Sequence, residues 1–170
     1  MTNFRMAGLN AAGYNGDVHK HLQRLERVWI QNPTYFITTC TYRRKPILTS
    51  ETVEEILVKE WQAARKHHGW AIGRYVIMLD HVHFFCSPEL DAKTLPMFVG
   101  LWKEWTSKAI KRELHLTSPV WQEEFFDHVL RSSESYCEKW NYVRDNPVRA
   151  GLVENADDWP WKGQIEELRM

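Results

Sequence analysis

His81-Val82-His83 sets two imidazoles one residue apart, and Tyr142 stands one helical turn before Asn146. On a strand, the two-residue period turns both rings of such a pair out of one sheet face and pins Val82 into the other. Taken alone, the pair is equally well a chance alternation on a surface strand. On a helix, residues four apart share a face, so Tyr142 and Asn146 present a phenol beside a carboxamide. A phenol with its ordinary pKa near ~10 is a poor nucleophile until a base, a metal or a cation assists it. Two imidazoles and an amide oxygen leave a divalent ion with open positions for a phosphate oxygen and water. Such an ion polarises a phosphate while a tyrosine oxygen attacks in line. The product is a phosphotyrosine link that keeps its bond energy for rejoining, and plain hydrolysis has no need of a tyrosine.

The elements that must position these groups follow from local pattern. Thr34 to Tyr42 is dense in β-branched and aromatic residues and predicts a strand. A capping box from Thr52 to Glu55 opens a helix with Val53, Ile56, Leu57, Trp61 and Ala64 at helical spacing, closed by Gly69. Ala71 to Leu79 and His81 to Cys86 predict two strands with Asp80 at the turn between them. Thr94 is placed to cap a second helix through Leu114, with Pro96 in its first turn. Lys103, Lys108, Lys111 and Arg112 decorate that helix. They are a solvated face or, interleaved with Trp102 and Trp105, a nucleic-acid surface. Short extended pieces follow Pro119. A third helix, capped by Ser132 or Ser133, must stop near Pro147. Its stripe of Tyr136, Trp140 and Val143 faces the core and leaves Tyr142 roughly 120° away.

With 170 residues, 44% hydrophobic content and nine tryptophans, the chain suits one folded domain with a proper core. The folded part is expected over residues 33–161, after an arm (1–32) and before a tail (162–170). His19 and His21, and an amphipathic turn of Leu22, Leu25 and Val28, belong to that arm. A formal net charge of zero argues against coating duplex DNA by charge alone. The basic cluster Arg43-Arg44-Lys45 is either a solvated strand end or a backbone-phosphate contact. Cys40, Cys86 and Cys137 lack metal-knuckle or disulfide-framework spacing, and no run reaches transmembrane length. A cytoplasmic setting without membrane contact is the expectation.

Several segments together resemble the HUH single-tyrosine DNA transposases, in the branch of the REP-associated tyrosine transposases. They are Tyr35-Phe36-Ile37-Thr38, Asp80-His81-Val82-His83, Trp121-Gln122, Phe126-Asp127-His128-Val129-Leu130-Arg131, the run from Tyr142 to Val153, and Asp158-Trp159-Pro160-Trp161. Leu79-Asp80 stands where that branch commonly has Pro-Asn, and Asp80 remains able to orient a ring. The resemblance implies an α+β fold, an antiparallel sheet flanked by helices with a ferredoxin-like or RRM-like HUH core. It implies His81, His83 and Asn146 as ligands of Mg²⁺ or Mn²⁺, and Tyr142 as the nucleophile that cuts single-stranded DNA, leaving a 5′-phosphotyrosine and a free 3′-OH. The implied partners are hairpin-forming repeated extragenic palindromes, bound by a monomer or a homodimer. By similarity, Arg43, Arg44 and Lys103 are DNA contacts. Asp127 is offered as an orienter of a metal-binding imidazole and His128 as a satisfied structural histidine. The alternative reading is a regulator that binds hairpin DNA on the same fold without cutting it.

Overall fold

The computed structural model describes residues 33–169, so the arm, with His19, His21 and the Leu22–Leu25–Val28 turn, lies outside the described residues. The β-branched and aromatic run becomes β1 (Thr34–Cys40), followed by α1 (Glu51–His68), β2 (Trp70–Ile77), β3 (His81–Pro88) and α2 (Leu95–Glu113). Then come β4 (Phe126–Leu130), α3 (Ser133–Arg144), the short α4 (Asn146–Arg149) and β5 (Lys162–Gln164). The strands form one antiparallel sheet in the order β4-β1-β3-β2-β5, whose first four strands have the ferredoxin-like arrangement. The histidine strand is therefore central, paired on both sides.

The two sheet faces do different work. Ile37, Tyr75, Val82 and Phe84 point towards α1 and α2, where Trp61 and Trp102 stack with ring centroids 5.5 Å apart. Phe36, Val76 and Phe85 point the other way, against Tyr136, Trp140 and Val143 of α3 and against Trp159. The apolar stripe anticipated on α3 is thus its docking face. Arg74 anchors it further, its guanidinium carbon lying 5.2 Å from the Trp140 ring centroid.

Two local expectations are corrected. The cap of α1 is Ser50, whose hydroxyl accepts from the Val53 N–H at 3.3 Å, and the helix starts before the Thr52 box. Gly69 closes it as expected, at φ +75°. As expected, β2 runs through Gly73, with a register shift between Ile72 and Tyr75, and a Cβ at Gly73 would meet Leu168 at 2.8 Å. The segment after Trp161 is no tail: β5 pairs with β2, and Glu166 forms an ion pair with Arg65 at 2.7 Å. No helix among the described residues is long and apolar enough to cross a membrane.

Candidate active site

The site is built where β3 meets the end of α3. His83 lies directly opposite Thr38 of β1, and Thr38 Oγ1 is 2.8 Å from His83 Nδ1. Phe36 stacks on the same imidazole at 5.4 Å between centroids. His81 begins the strand, with its Nδ1 2.7 Å from Asp80 Oδ1, while the other oxygen of Asp80 pairs with Arg44 Nε at 2.8 Å. The two rings stand edge to face, 4.7 Å apart. Both imidazoles are thus held through Nδ1, which turns Nε2 of each to the side away from these partners, the arrangement by which outer groups orient metal-binding histidines.

The third helix arrives from the opposite layer. Asp145 interrupts it between α3 and α4, with Pro147 in the first turn of α4. The interruption leaves Asn146 in reach of the sheet, with its Nδ2 2.9 Å from His83 Nε2. Arg149 binds both partners of the motif. Its Nη2 donates to the Tyr142 carbonyl at 2.6 Å and to Asn146 Oδ1, and its guanidinium carbon sits 4.0 Å from the Tyr142 ring centroid. Lys139 Nζ lies 5.8 Å from the same ring. Tyr142 itself is 61% exposed, and no group among the described residues holds its hydroxyl.

Burial pushes the His83 imidazole down to about 3, with the charges of His81, Arg44, Arg149 and Lys139 adding to it. Burial lowers His81 too, against the opposing pull of Asp80. Neutral rings with available lone pairs suit a cation. No group of three or more His, Cys, Asp or Glu side chains among the described residues is arranged to hold a metal ion. An ion here would rest on two imidazoles and the Asn146 amide, and these fit once the amide turns its oxygen towards His83. That rotation takes from Arg149 the acceptor it now holds.

A pH consequence follows. The unfolded chain protonates His83 near its ordinary value of about 6.5, whereas the folded chain resists until about 3. Between these values the unfolded state binds more protons, so stability falls as pH drops. His83→Gln is expected to flatten that acid slope in chelator-treated protein, read as urea midpoints from pH 7 to pH 4. Equal slopes in wild type and variant would refute the buried neutral imidazole.

The structure brings Tyr142, His81, His83, Asn146 and Arg44 together, and separates others. Lys103 is buried on α2, donating to the carbonyls of Gln122, Glu123 and Glu124 at 3.0, 3.1 and 2.8 Å. All three of its protons are occupied there, so it is a structural lysine and no DNA contact. Trp102 is likewise core, leaving Trp105 as the exposed tryptophan of that helix. Arg43 is exposed and turns back over Tyr42 at 5.2 Å. Asp127 pairs with Ile37 and so lies on the α1–α2 face, where its charge helps raise the pKa of Tyr35; it cannot orient a site histidine, and Asp80 does so. His128 is exposed on the histidine face, not satisfied in the core. Thr38, Lys139 and Arg149 are the residues that sequence reasoning missed. Arg149 sits within the quoted Tyr142 segment, three residues past Asn146 on a helical turn, and that spacing was the available signal.

Residues 30–144 match the family described as transposase IS200-like. The chain belongs to this family. Among relatives of this IS200-like transposase, the REP-associated tyrosine transposase of Escherichia coli (strain K12) is 26% identical over 144 residues, 82% of this chain and 81% of the relative. A putative REP-associated tyrosine transposase of Haemophilus influenzae is 23% identical over 157 residues, covering 87% and 89%. A solved REP-associated tyrosine transposase bound to a REP hairpin matches with a TM-score of 0.62 at 25% identity, over 80% of this chain and 79% of that one. A putative transposase from Deinococcus radiodurans R1 shares the fold, with a TM-score of 0.53 at 18% identity over 70% and 94%. The resemblance to the REP-associated tyrosine transposases noted in the segments around His81 and Tyr142 therefore holds across most of this transposase, and so does the α+β fold it implied.

Proposed function

We propose that this IS200-like transposase cuts and rejoins single-stranded DNA beside hairpins, through a covalent link to Tyr142. The observation that carries the reading is the 2.9 Å contact between Asn146 and His83, which docks the tyrosine-bearing helix onto the two-histidine strand. Tyr142 Oη forms a bond to phosphorus as the bond from phosphorus to the 3′ oxygen breaks. The phenol proton passes to water, and the leaving oxygen takes a proton to become the free 3′-OH. Arg149, lying on the Tyr142 ring, offers a planar fork of donors to the phosphate under attack, and Lys139 adds a second positive charge. His81 and His83, held by Asp80 and Thr38, present neutral nitrogens with the Asn146 amide. A divalent ion bound there supplies Lewis-acid polarisation of a phosphate oxygen. The nitrogen-rich donor set favours Mn²⁺ over Mg²⁺, which prefers oxygen ligands. The E. coli relative is named a REP-associated tyrosine transposase and a solved one is bound to a REP hairpin. The proposed substrate is accordingly a hairpin with an unpaired flank.

The test is incubation with end-labelled hairpin oligonucleotides carrying single-stranded flanks, drawn from repeats near the gene, with Mn²⁺ or Mg²⁺ and then a denaturing gel. A slow-migrating covalent protein–DNA band is the expected result. Hairpin binding without such a band under every metal would assign a non-cutting regulator instead. If the protein neither bound nor cut any repeat, the hairpin substrate would be the claim to abandon.

A further inference from the structure

The histidine face of the sheet continues past His83 to β4, an edge strand among the described residues. Thr38 is the cross-strand partner of both His83 and Phe126. Directly opposed residues of antiparallel strands project to the same side. Thr38 Oγ1 reaches His83, so Phe126 stands on the histidine face, two strand spacings or about 10 Å from that imidazole. Its ring is 57% exposed and belongs to neither core cluster, because the layer of α3 covers Phe36, Phe85 and the Leu130 end of β4 and leaves the Phe126 end open. His128, opposite Phe36, is exposed on the same face.

A lone exposed apolar residue is ordinarily unremarkable on a surface. This one differs in its address and in the positive charge carried on the same face of the sheet. Lys139 Nζ lies 5.3 Å from the Phe36 ring centroid and 5.8 Å from that of Tyr142, so a cation borders the strip between the tyrosine and the edge. Arg149 flanks the tyrosine on the same motif, and the Asp80 carboxylate is neutralised by Arg44. An open aromatic ring that shares a sheet face with such cations matches one unpaired nucleotide, the base stacking and the phosphate pairing.

We propose that Phe126 is the stacking platform for one unpaired base of the strand that Tyr142 attacks, with Lys139 meeting an adjoining phosphate. The inference rests on the strand-cleavage reading and adds to it the subsite that holds the flank. Every base has a π face, so the platform sets how the flank is held and not which base is read.

The test compares wild type, Phe126→Ala, Phe126→Leu and Phe126→Trp on two labelled oligonucleotides, a hairpin with an unpaired flank and the same hairpin with a blunt end. Fluorescence anisotropy reads the affinity, and adduct yield at saturating DNA reads the chemistry. Losing one stacked base is expected to weaken flanked-hairpin binding on the order of 10-fold in the Ala and Leu variants. Blunt-hairpin affinity should stay at the wild-type level, and Trp should restore the flank affinity. The Leu variant keeps apolar bulk without a π face, which separates stacking from general packing. Wild-type flank affinity in the Ala variant, with the wild-type adduct still forming, would sink the platform alone. Equal losses on both oligonucleotides would also overturn it. Loss of a dimer with unchanged flank affinity would assign the ring to a second copy of the chain. Failure of the wild-type protein to bind or react would remove the strand-cleavage reading and this inference with it.

Discussion

Tyr142→Phe is expected to yield no covalent DNA adduct while binding the same flanked hairpin as tightly as wild type. Removing a nucleophile that forms the covalent intermediate costs on the order of 10⁴- to 10⁶-fold in rate. The fold should not register the change, because the ring is 61% exposed and no group among the described residues holds its hydroxyl. The cation–ring contacts of Arg149 and Lys139 depend on the π face and survive in phenylalanine. A urea midpoint within ~0.5 kcal/mol of wild type is therefore the accompanying expectation. Persistence of the adduct would point to another nucleophile, and Tyr136 is the nearest rival on α3. It is a poor one. Its ring packs on Phe85 at 4.6 Å, and burial raises its pKa, which disfavours the phenolate. A denaturing gel with Tyr136→Phe and Tyr142→Phe side by side decides between them.

Lys103→Met should destabilise the protein by ~3 kcal/mol, since three carbonyls lose the ammonium they share. Burial lowers the Lys103 pKa to about 8, which still leaves the group charged at neutral pH. The stretch it holds, Gln122 to Glu124, leads directly into β4, and Gln122 N–H also bonds the Cys40 carbonyl at 2.9 Å. Loosening this stretch would loosen the edge strand that carries Phe126. A DNA-binding role for the lysine predicts the opposite outcome. Stability would be unchanged, and the slope of log affinity against log salt would fall by ~0.7 for each single-strand phosphate no longer neutralised. Urea denaturation and a salt titration of hairpin binding, run on one preparation, give the two answers separately.

Much of this architecture was legible in local pattern. The β-branched run of β1, the helical stripes of α1 and α3, the turn at Asp80 and the stop before Pro147 each depend on residues close in sequence. The His81–His83 pair and Tyr142 with Asn146 were legible for the same reason, as period two on a strand and four on a helix set which side chains share a face. What escaped were relations between segments far apart. Lys103 looked like one more surface cation, and only the return of residues 122–124 across α2 made it a buried donor. Asp127 adjoins a histidine in sequence, but its register opposite Ile37 turns it to the wrong face. Thr38 and Lys139 carry no local signature at all.

Composition and periodicity by themselves determined that this chain folds, which elements it forms, and which groups are chemically able to attack a phosphate. Tertiary structure alone decided that Asn146 meets His83 across sixty-three residues of chain, that Arg149 lies on the attacking tyrosine, and that Phe126 opens onto the same face. The physical reason is that side-chain direction is a local property of backbone periodicity. Which strand lies beside which, and in what register, is set by the burial of two whole sheet faces at once.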